Sequence, residues 1–283
     1  MKIAYFGYDP LLSCVDVFLK QGHQFAVIYT GENSGYSQKV IQFAQNNHIP
    51  LCFGKPNLTE MQTLVEQGVE LFFSAEYPCK IPVPVELKYA INVHPTLLPE
   101  GRGITPLPHL ILKQSIYAGV TLHKLSNEFD TGDTLLQKPI SLEDDETFDS
   151  LSGKVFQETP DLLSRLLSDI DNYYQSSQEQ GEGSDWPSIT VGEQTLDWQQ
   201  PIAQLLTRLR AFGSLGTYAN ISGKACVITS TQFPLSAQGK RYQHDYNAGQ
   251  VILNDPQHIT VATIDGELRI PKTIITLVAP YLG

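Results

Sequence analysis

Short apolar runs alternate with amphipathic stretches over the first part of the chain. The runs predict buried strands at residues 2–7, 25–29, 50–53, 69–74, 89–94, 118–125 and 134–140. The stretches between them repeat apolar residues at a spacing of three and four, which predicts helices at 11–21, 38–46, 58–67, 106–114, 147–156 and 160–169. Strands that alternate with helices in this way favour an α/β fold with a doubly wound, mostly parallel, Rossmann-like sheet.

The pattern changes towards the carboxyl end of the chain. Residues 173–184 are rich in Gln, Ser, Glu and Gly and lack apolar periodicity, which is typical of a linker. A helix is then predicted at 202–212, and short strands separated by turns follow at 217–221, 224–229, 249–253, 259–263 and 267–271. We therefore expect a first domain at 1–172, a linker at 173–187, and a small helix-plus-β-barrel (OB-like) domain at 188–283.

The composition argues against a membrane protein and against a zinc protein. The chain has 283 residues, of which 41% are hydrophobic, and no apolar run approaches the roughly 20 residues of a membrane span. Its four cysteines are widely scattered and form no CxxC pair, which argues against a zinc site and favours reduced thiols. We expect a cytoplasmic protein with no metal ion and no membrane partner.

The charge distribution bears on possible partners. The net charge is −11, and residues 1–187 hold 12 basic against 24 acidic residues. Proteins that bind nucleic acid usually carry a basic patch that neutralises phosphates, and none is visible here. This disfavours a nucleic-acid partner.

An amide and an imidazole lie two residues apart at the end of the predicted strand 89–94. Because side chains alternate along a strand, Asn92 and His94 share one face. In doubly wound sheets the ligand lies beyond the carboxyl ends of the strands, where these two residues are expected. This window alone equally allows a structural interpretation, in which Asn92 caps a turn and His94 is a half-buried histidine.

A carboxylate completes the candidate chemistry. Asp130 lies in a loop with Gly132, which permits a tight turn, and this loop is expected at the same edge of the sheet. Asn92, His94 and Asp130 would suit acyl transfer to an amine: the imidazole moves protons, the amide stabilises an oxyanion, and the carboxylate orients the imidazole. No Ser or Cys stands in a nucleophile elbow, which favours direct transfer. A second histidine, His123, is predicted to face the surface.

Several blocks of sequence agree in order and spacing with a known enzyme family. They are 92–99 (Asn-Val-His-Pro-Thr-Leu-Leu-Pro), 101–103 (Gly-Arg-Gly) with 105–106 (Thr-Pro), 119–123 (Gly-Val-Thr-Leu-His) and 129–133 (Phe-Asp-Thr-Gly-Asp). On these blocks the chain resembles the folate-dependent formyltransferases, which include glycinamide ribonucleotide, methionyl-tRNA and 4-amino-sugar-nucleotide formyltransferases. The resemblance covers the first domain and continues more weakly at 196–198 and 210–212 of the second.

The resemblance implies a donor and a set of site residues. The donor is 10-formyltetrahydrofolate, and the catalytic triad is Asn92, His94 and Asp130. The loops at 74–81 and 126–130 would hold the pterin, largely through backbone groups, with the candidates Cys79, Lys80, Ile81, Ser126, Asn127, Glu128 and Phe129. For Cys79 and Ile81, simple packing is an equal alternative.

The sequence does not determine which molecule accepts the formyl group. A second domain disfavours the purine-pathway enzyme, and the short segment 30–42, whose only basic residue is Lys39, disfavours tRNA. Amino-sugar enzymes are similar in size, but Ile104 replaces an arginine that reads nucleotide phosphates, and Pro95 and Glu100 also depart from the family pattern. We expect a small amine acceptor, with amino sugars, amino acids and hydroxylamines as candidates. The alternatives are a methionyl-tRNA formyltransferase, a hydrolase that releases formate, and a non-catalytic folate-binding protein. The sequence does not give the oligomeric state, for which a homodimer is one candidate.

Overall fold

The computed structural model describes residues 1–32, 35–229, 237–238 and 246–278. Two residues of the predicted loop in segment 30–42, Asn33 and Ser34, lie outside them. The strands before residue 190 are β1 (Lys2–Gly7), β2 (Gln24–Tyr29), β3 (Leu51–Cys52), β4 (Leu71–Ala75), β5 (Tyr89–Thr96), β6 (Glu100–Arg102), β7 (Ala118–Lys124), β8 (Thr134–Pro139) and β9 (Ser184–Asp185). The helices are α1 (Ser13–Lys20), α2 (Gln38–Asn46), α3 (Leu58–Glu66), α4 (Pro106–Leu112), α5 (Phe148–Leu167), α6 (Ile170–Gln175), α7 (Val191–Gln194) and α8 (Ile202–Phe212).

Seven of these strands form one sheet in the order β3-β2-β1-β4-β5-β7-β8. Strands β1 to β5 run parallel, whereas β7 is antiparallel to both β5 and β8. The order reverses between β1 and β4, so a topological switch point lies at their carboxyl ends. The predicted mostly parallel, Rossmann-like sheet is thereby confirmed, with an antiparallel edge.

Aromatic side chains fill both faces of the central strands. Phe6 on β1 stacks on Tyr29 with ring centroids 4.8 Å apart and meets Phe72 edge-on at 5.5 Å. On the opposite face, Phe18 of α1 meets Phe73 edge-on at 5.0 Å. Each such ring contributes about 1.5–3 kcal/mol when fully buried. Because helices cover both faces, these strands are continuous apolar runs rather than alternating ones.

The two helices predicted at 147–156 and 160–169 are one helix, α5, with Pro160 inside it. The sequence prediction ended the first helix ahead of the proline, whose missing N–H and ring clash cost about 3 kcal/mol in a helix interior. The apolar face nevertheless continues on both sides, where Val155, Leu162 and Leu163 are buried. Burial of these side chains offsets the local cost and keeps the helix continuous.

The chain divides into two compact units. Unit 1 comprises Met1–Pro106, Tyr117–Ser141 and Gly153–Pro187, and unit 2 comprises Leu107–Ile116, Leu142–Ser152 and Ser188–Gly283. The sheet belongs to unit 1, and so does the stretch 173–187 that was predicted as a linker. Helix α4 and the start of α5 group with unit 2.

Unit 2 contains antiparallel strands behind helix α8. These strands are β10 (Thr217–Ile221), β11 (Lys224–Ile228), β12 (Ala237–Gln238), β13 (Val251–Asn254), β14 (His258–Ala262), β15 (Glu267–Pro271) and β16 (Ile275–Leu277). They form sheets in the orders β10-β11-β16 and β12-β15-β14-β13. Leu205 and Leu209 of α8 share a buried cluster with Ile221, Val261 and Leu268. The predicted helix at 202–212 and the antiparallel strands that follow it are confirmed. No helix in the described ranges of either unit is long and apolar enough to cross a membrane.

Candidate active site

Two neighbouring strands and one loop supply the polar groups of the site. Asn92 and His94 lie on β5, and the strand register places Asn92 between Ser74 of β4 and His123 of β7. Asp130 lies in the loop that connects β7 to β8. The pairing of β5 with β7 therefore brings together residues that are well separated in the sequence.

Asp130 is the centre of this group. Its Oδ1 lies 3.4 Å from Nδ1 of His94 and 3.5 Å from Nε2 of His123. The same oxygen accepts a hydrogen bond from Nδ2 of Asn92 at 3.3 Å. The other oxygen, Oδ2, accepts from the backbone N–H of Gly103 at 3.0 Å. The structure thus joins the three residues proposed from the sequence and adds His123 to them.

The partners of His94 define which ring nitrogen carries its proton. Nε2 lies 2.8 Å from the carbonyl oxygen of Gly101, and because a carbonyl can only accept, Nε2 carries the hydrogen. In the neutral ring, Nδ1 then presents its lone pair beside Asp130. Burial lowers the pKa of His94 below its ordinary value, while the Asp130 carboxylate and the Gly101 carbonyl act in the opposite direction. The site therefore holds a neutral base next to a group that stabilises its cation.

Asp130 remains ionised under all ordinary conditions. Burial alone would raise its pKa, but the interactions with His123 and His94 and the hydrogen bond from the Gly103 amide outweigh burial and lower the pKa to about 2. Asp130 also has a φ of +57°, in the left-handed region that few non-glycine residues adopt. Such conformations persist where surrounding contacts hold them, and they are frequent at functional sites.

His123 corrects an expectation from the sequence. Alternation along the strand predicted that it faces the surface, but its exposed fraction is 1%. Its Nδ1 lies 2.8 Å from the carbonyl oxygen of Lys124 and so carries hydrogen, which leaves Nε2 to accept from Nδ2 of Asn92 at 3.0 Å. The prediction failed because β7 is an interior strand whose two faces are both covered. The available signal in the sequence was its place in the motif block 119–123.

Two glycines of the motif blocks are required by close approaches of the backbone. An added Cβ at Gly132 would lie 2.0 Å from the carbonyl oxygen of Lys124. At Gly103, where φ is +125°, a Cβ would lie 2.3 Å from the carbonyl oxygen of Trp186. Both glycines flank Asp130, one along the chain and one through its hydrogen bond. They allow the loops to close around the carboxylate.

The loops predicted to hold the pterin contact one another beside the triad. Nζ of Lys80 lies 2.9 Å from a carboxylate oxygen of Glu128 and 5.6 Å from the ring centre of Phe129. Both charged groups are exposed, so this ion pair contributes at most about 1 kcal/mol. The ring of Phe129 is 40% exposed and directly precedes Asp130. The edge of the site thus presents an aromatic surface and a cation.

The remaining loop candidates differ in their surroundings. Ile81 is buried in a core cluster with Phe6 and Met61, so its side chain packs inside unit 1. Cys79 is half-buried and Asn127 is exposed. The hydroxyl of Ser126 donates to the carbonyl oxygen of Glu128 at 2.8 Å, which stabilises the turn of the second loop.

Comparisons with known proteins agree with the fold and with the family resemblance of the sequence. The family model described as formyl transferase matches residues 57–167, and the model described as formyl transferase, C-terminal domain, matches residues 188–276. Together the two models cover more than half of the chain. The chain therefore belongs to the formyl transferase family, a family of folate-dependent enzymes whose donor is formyltetrahydrofolate. The predicted enzyme class and folate cofactor are confirmed.

Individual relatives fall in two groups. A methionyl-tRNA formyltransferase from Coprothermobacter proteolyticus is 26% identical over 81% of this chain and 79% of its own. Another, from Idiomarina loihiensis, is 27% identical over 96% of this chain and 91% of its own. Among solved structures, an N-formyltransferase from Helicobacter canadensis in complex with folinic acid and dTDP-3-aminofucose superposes with a TM-score of 0.70, at 18% identity, over 95% of this chain and 98% of its own. The last likeness supports the fold.

Proposed function

We propose that this chain transfers a formyl group from 10-formyltetrahydrofolate to the amine of a small acceptor, by direct acyl transfer, and that the acceptor is an amino sugar. The observation that carries this proposal is the position of His94 Nδ1, 3.4 Å from a carboxylate oxygen of ionised Asp130 and beside the amide of Asn92. A neutral imidazole beside a carboxylate can take a proton from an attacking amine and deliver one to the leaving nitrogen.

His94 is the proton-transfer group in this scheme. Burial lowers the pKa of His94 and keeps the imidazole neutral near pH 7, and Nδ1 then carries the lone pair that accepts the proton of the amine. Once protonated, the ring faces a carboxylate on one side and the Gly101 carbonyl on the other. Asp130 thus stabilises the cation that forms, while the Gly101 carbonyl holds the neutral ring in the orientation that presents Nδ1.

Asn92 is the group that faces developing negative charge. Its two N–H bonds point at Nε2 of His123 and at Oδ1 of Asp130. When Asn92 donates to the formyl oxygen, one of these bonds is exchanged for a bond to the substrate. Hydrogen-bond donors at such a position typically contribute about 2.7–4 kcal/mol to transition-state stabilisation.

Residues of the two loops are proposed to hold the donor. Bound 10-formyltetrahydrofolate supplies the formyl carbon that the amine attacks. The exposed ring of Phe129 fits a flat aromatic ligand, and Lys80 beside it fits a negatively charged one. The remaining proposed contacts come from Cys79, Ile81, Ser126, Asn127 and Glu128, with Ile81 contributing through its backbone.

A small acceptor is supported by charge and by one exposed side chain. Ile104 is 60% exposed directly after Gly103, whose amide binds Asp130. An apolar side chain at this position contacts a sugar or aliphatic group better than a phosphate. The net charge of −11 also disfavours a polyanion. The solved N-formyltransferase structure that contains dTDP-3-aminofucose supports the amino-sugar class.

Methionyl-tRNA is the second candidate acceptor, because the curated relatives described above act on it by name. One experiment separates the candidates. The purified chain and 10-formyltetrahydrofolate are incubated with nucleotide-linked amino sugars, free amino acids, hydroxylamines or charged initiator tRNA, and tetrahydrofolate release is followed. We expect release with an amino sugar. Release with tRNA alone would overturn the choice of acceptor, and formate release without any amine would indicate a hydrolase.

A cytoplasmic location is part of the proposal. The four cysteines are free thiols in the structure, two of them buried. Free, unpaired cysteines are typical of proteins in reducing compartments.

A further inference from the structure

Asp130 is held by contacts from a distant segment as well as by the histidines. The β9 segment, defined here as residues 178–186, returns to the site after helix α6. Its strand β9 pairs with β6, and the N–H of Trp186 donates to the carbonyl oxygen of Arg102 at 2.7 Å. At its other end, Gln178 exchanges two backbone hydrogen bonds with Thr134. The segment is therefore fixed to unit 1 at both ends.

One side chain of this segment contacts the backbone of the Asp130 loop. Nε2 of Gln180 donates to the carbonyl oxygen of Asp130 at 2.9 Å and to that of Gly132 at 2.6 Å. The first of these bonds fixes the peptide plane that follows Asp130, the residue with the positive φ. Since φ and the adjacent plane together determine where the carboxylate points, Gln180 acts on the position of Oδ1 relative to His94.

The orientation of the Gln180 amide is itself determined by a neighbour. Its Oε1 accepts from Nε of Arg102 at 3.1 Å and from a terminal nitrogen of Arg102 at 3.0 Å. The same arginine nitrogen also reaches the carbonyl oxygen of Gly181 at 3.2 Å. A guanidinium only donates and a carbonyl only accepts, so the amide has one allowed orientation. Its two N–H groups then face the Asp130 loop.

We propose that Gln180, oriented by Arg102, is a positioning residue for formyl transfer, which holds the Asp130 carboxylate against His94. This rests on the proposed function. Arg102 belongs to a motif block, but Gln180 lies in the stretch predicted as a linker, where sequence pattern gives no reason to expect a role. Both residues act through Asp130 and neither needs to touch the substrate.

The test compares two charge substitutions in the same segment. Gln180→Glu keeps the size of the side chain but turns an acceptor towards two carbonyl oxygens. Gln178→Glu makes the same charge change at an exposed side chain whose residue is held through its backbone, and serves as the control. We expect Gln180→Glu to lower kcat by about 10- to 100-fold with the KM for the donor unchanged, and Gln178→Glu to leave both unchanged.

The division of the effect between kcat and KM distinguishes positioning from simple damage to the fold. Arg102 lies beside the carboxyl group introduced by Gln180→Glu and favours its ionised form near neutral pH, so the variant cannot donate to the carbonyls of Asp130 and Gly132. The loss should therefore appear in kcat throughout the range from about pH 6 to about pH 8. A kcat equal to wild type, or a KM for the donor that rises as kcat falls, would overturn the proposal.

A second variant tests the geometry independently of catalysis. Gln180→Met removes the donors without adding charge, so Asp130 should support the His94 cation less. We expect the His94 pKa, followed by NMR of the folded protein, to fall below the wild-type value. An unchanged His94 pKa overturns the positioning role. Absence of formyl transfer by the wild-type chain, with the NMR shift present, would instead refute the proposed function alone.

Discussion

Replacement of Asp130 by asparagine removes one negative charge from the centre of the site with little change in volume. Oδ1 faces two imidazoles and the Asn92 amide, and Oδ2 accepts from the Gly103 amide. An asparagine can accept through one oxygen only, so its NH2 group must face either the Gly103 N–H or the Asn92 N–H, and one of these two hydrogen bonds is lost. The substitution therefore acts on catalysis and on stability together.

The stability effect follows from the pKa of the carboxyl group. In the folded chain this pKa is lowered from 3.8 to about 2. The difference between these two pKa values corresponds to about 2.5 kcal/mol of stability. Because the folded pKa is depressed, this contribution is complete above about pH 4 and is lost as the pH falls towards 2. At about pH 3, roughly half of it should remain.

Urea unfolding at several pH values measures this contribution. We expect Asp130→Asn to reduce the free energy of unfolding by about 2 kcal/mol at pH 7 and to keep that difference down to about pH 4. Below that pH the two proteins should converge, since the wild-type carboxyl group becomes neutral as well. The m-value should stay the same, which shows that the unfolded states are comparable.

The catalytic effect is measured in parallel. Loss of the carboxylate leaves the His94 cation without its partner, and comparable substitutions beside a catalytic imidazole reduce kcat by up to about 10⁴-fold. Folate binding, followed by quenching of protein fluorescence, should persist. Wild-type activity in Asp130→Asn, or a stability difference that does not change between pH 7 and pH 3, would contradict the role assigned to this residue.

Three further substitutions, one of them with a matched control, test the site and the fold. His94→Ala should reduce formyl transfer by about 10²–10⁴-fold while folate binding is retained, and full activity would refute the proton-transfer role. Gly132→Ala should lower the melting temperature and the free energy of unfolding by more than about 2 kcal/mol, because its Cβ would lie 2.0 Å from the Lys124 carbonyl, whereas Gly181→Ala, with no atom within 4 Å, should have little effect. Gly153→Ala lies inside helix α5 with no atom within 4 Å and should raise the free energy of unfolding by about 0.5–1 kcal/mol in the same unfolding measurement.

The sequence predicted the elements of unit 1 well, because its strands are buried on both faces and its helices have clear apolar periodicity. Proline misled the prediction at α5, where buried leucines on the carboxyl side of Pro160 outweigh the local penalty. The local sequence pattern indicates only how a residue such as Pro160 destabilises the helical turn that contains it. The compensating contacts come from other elements, so the sequence of the helix does not reveal them.

The site was predictable only as far as the motif blocks extend. Asn92 and His94 followed from strand alternation, and Asp130 followed from its loop and from the resemblance. His123 was placed on the surface because alternation cannot show that a strand is covered on both sides. No sequence pattern points to Gln180. It contacts the backbone carbonyls of Asp130 and Gly132, which lie 50 and 48 positions away along the chain.

The return of the β9 segment to the site has a consequence for the order in which this protein is made. Asn92, His94 and Asp130 leave the ribosome well ahead of Gln180 and Trp186. During synthesis the triad can therefore assemble on its sheet, but the Asp130 loop is closed only after the stretch 178–186 has emerged. A chain released at residue 172 would contain every triad residue and still lack the last part of the candidate active site.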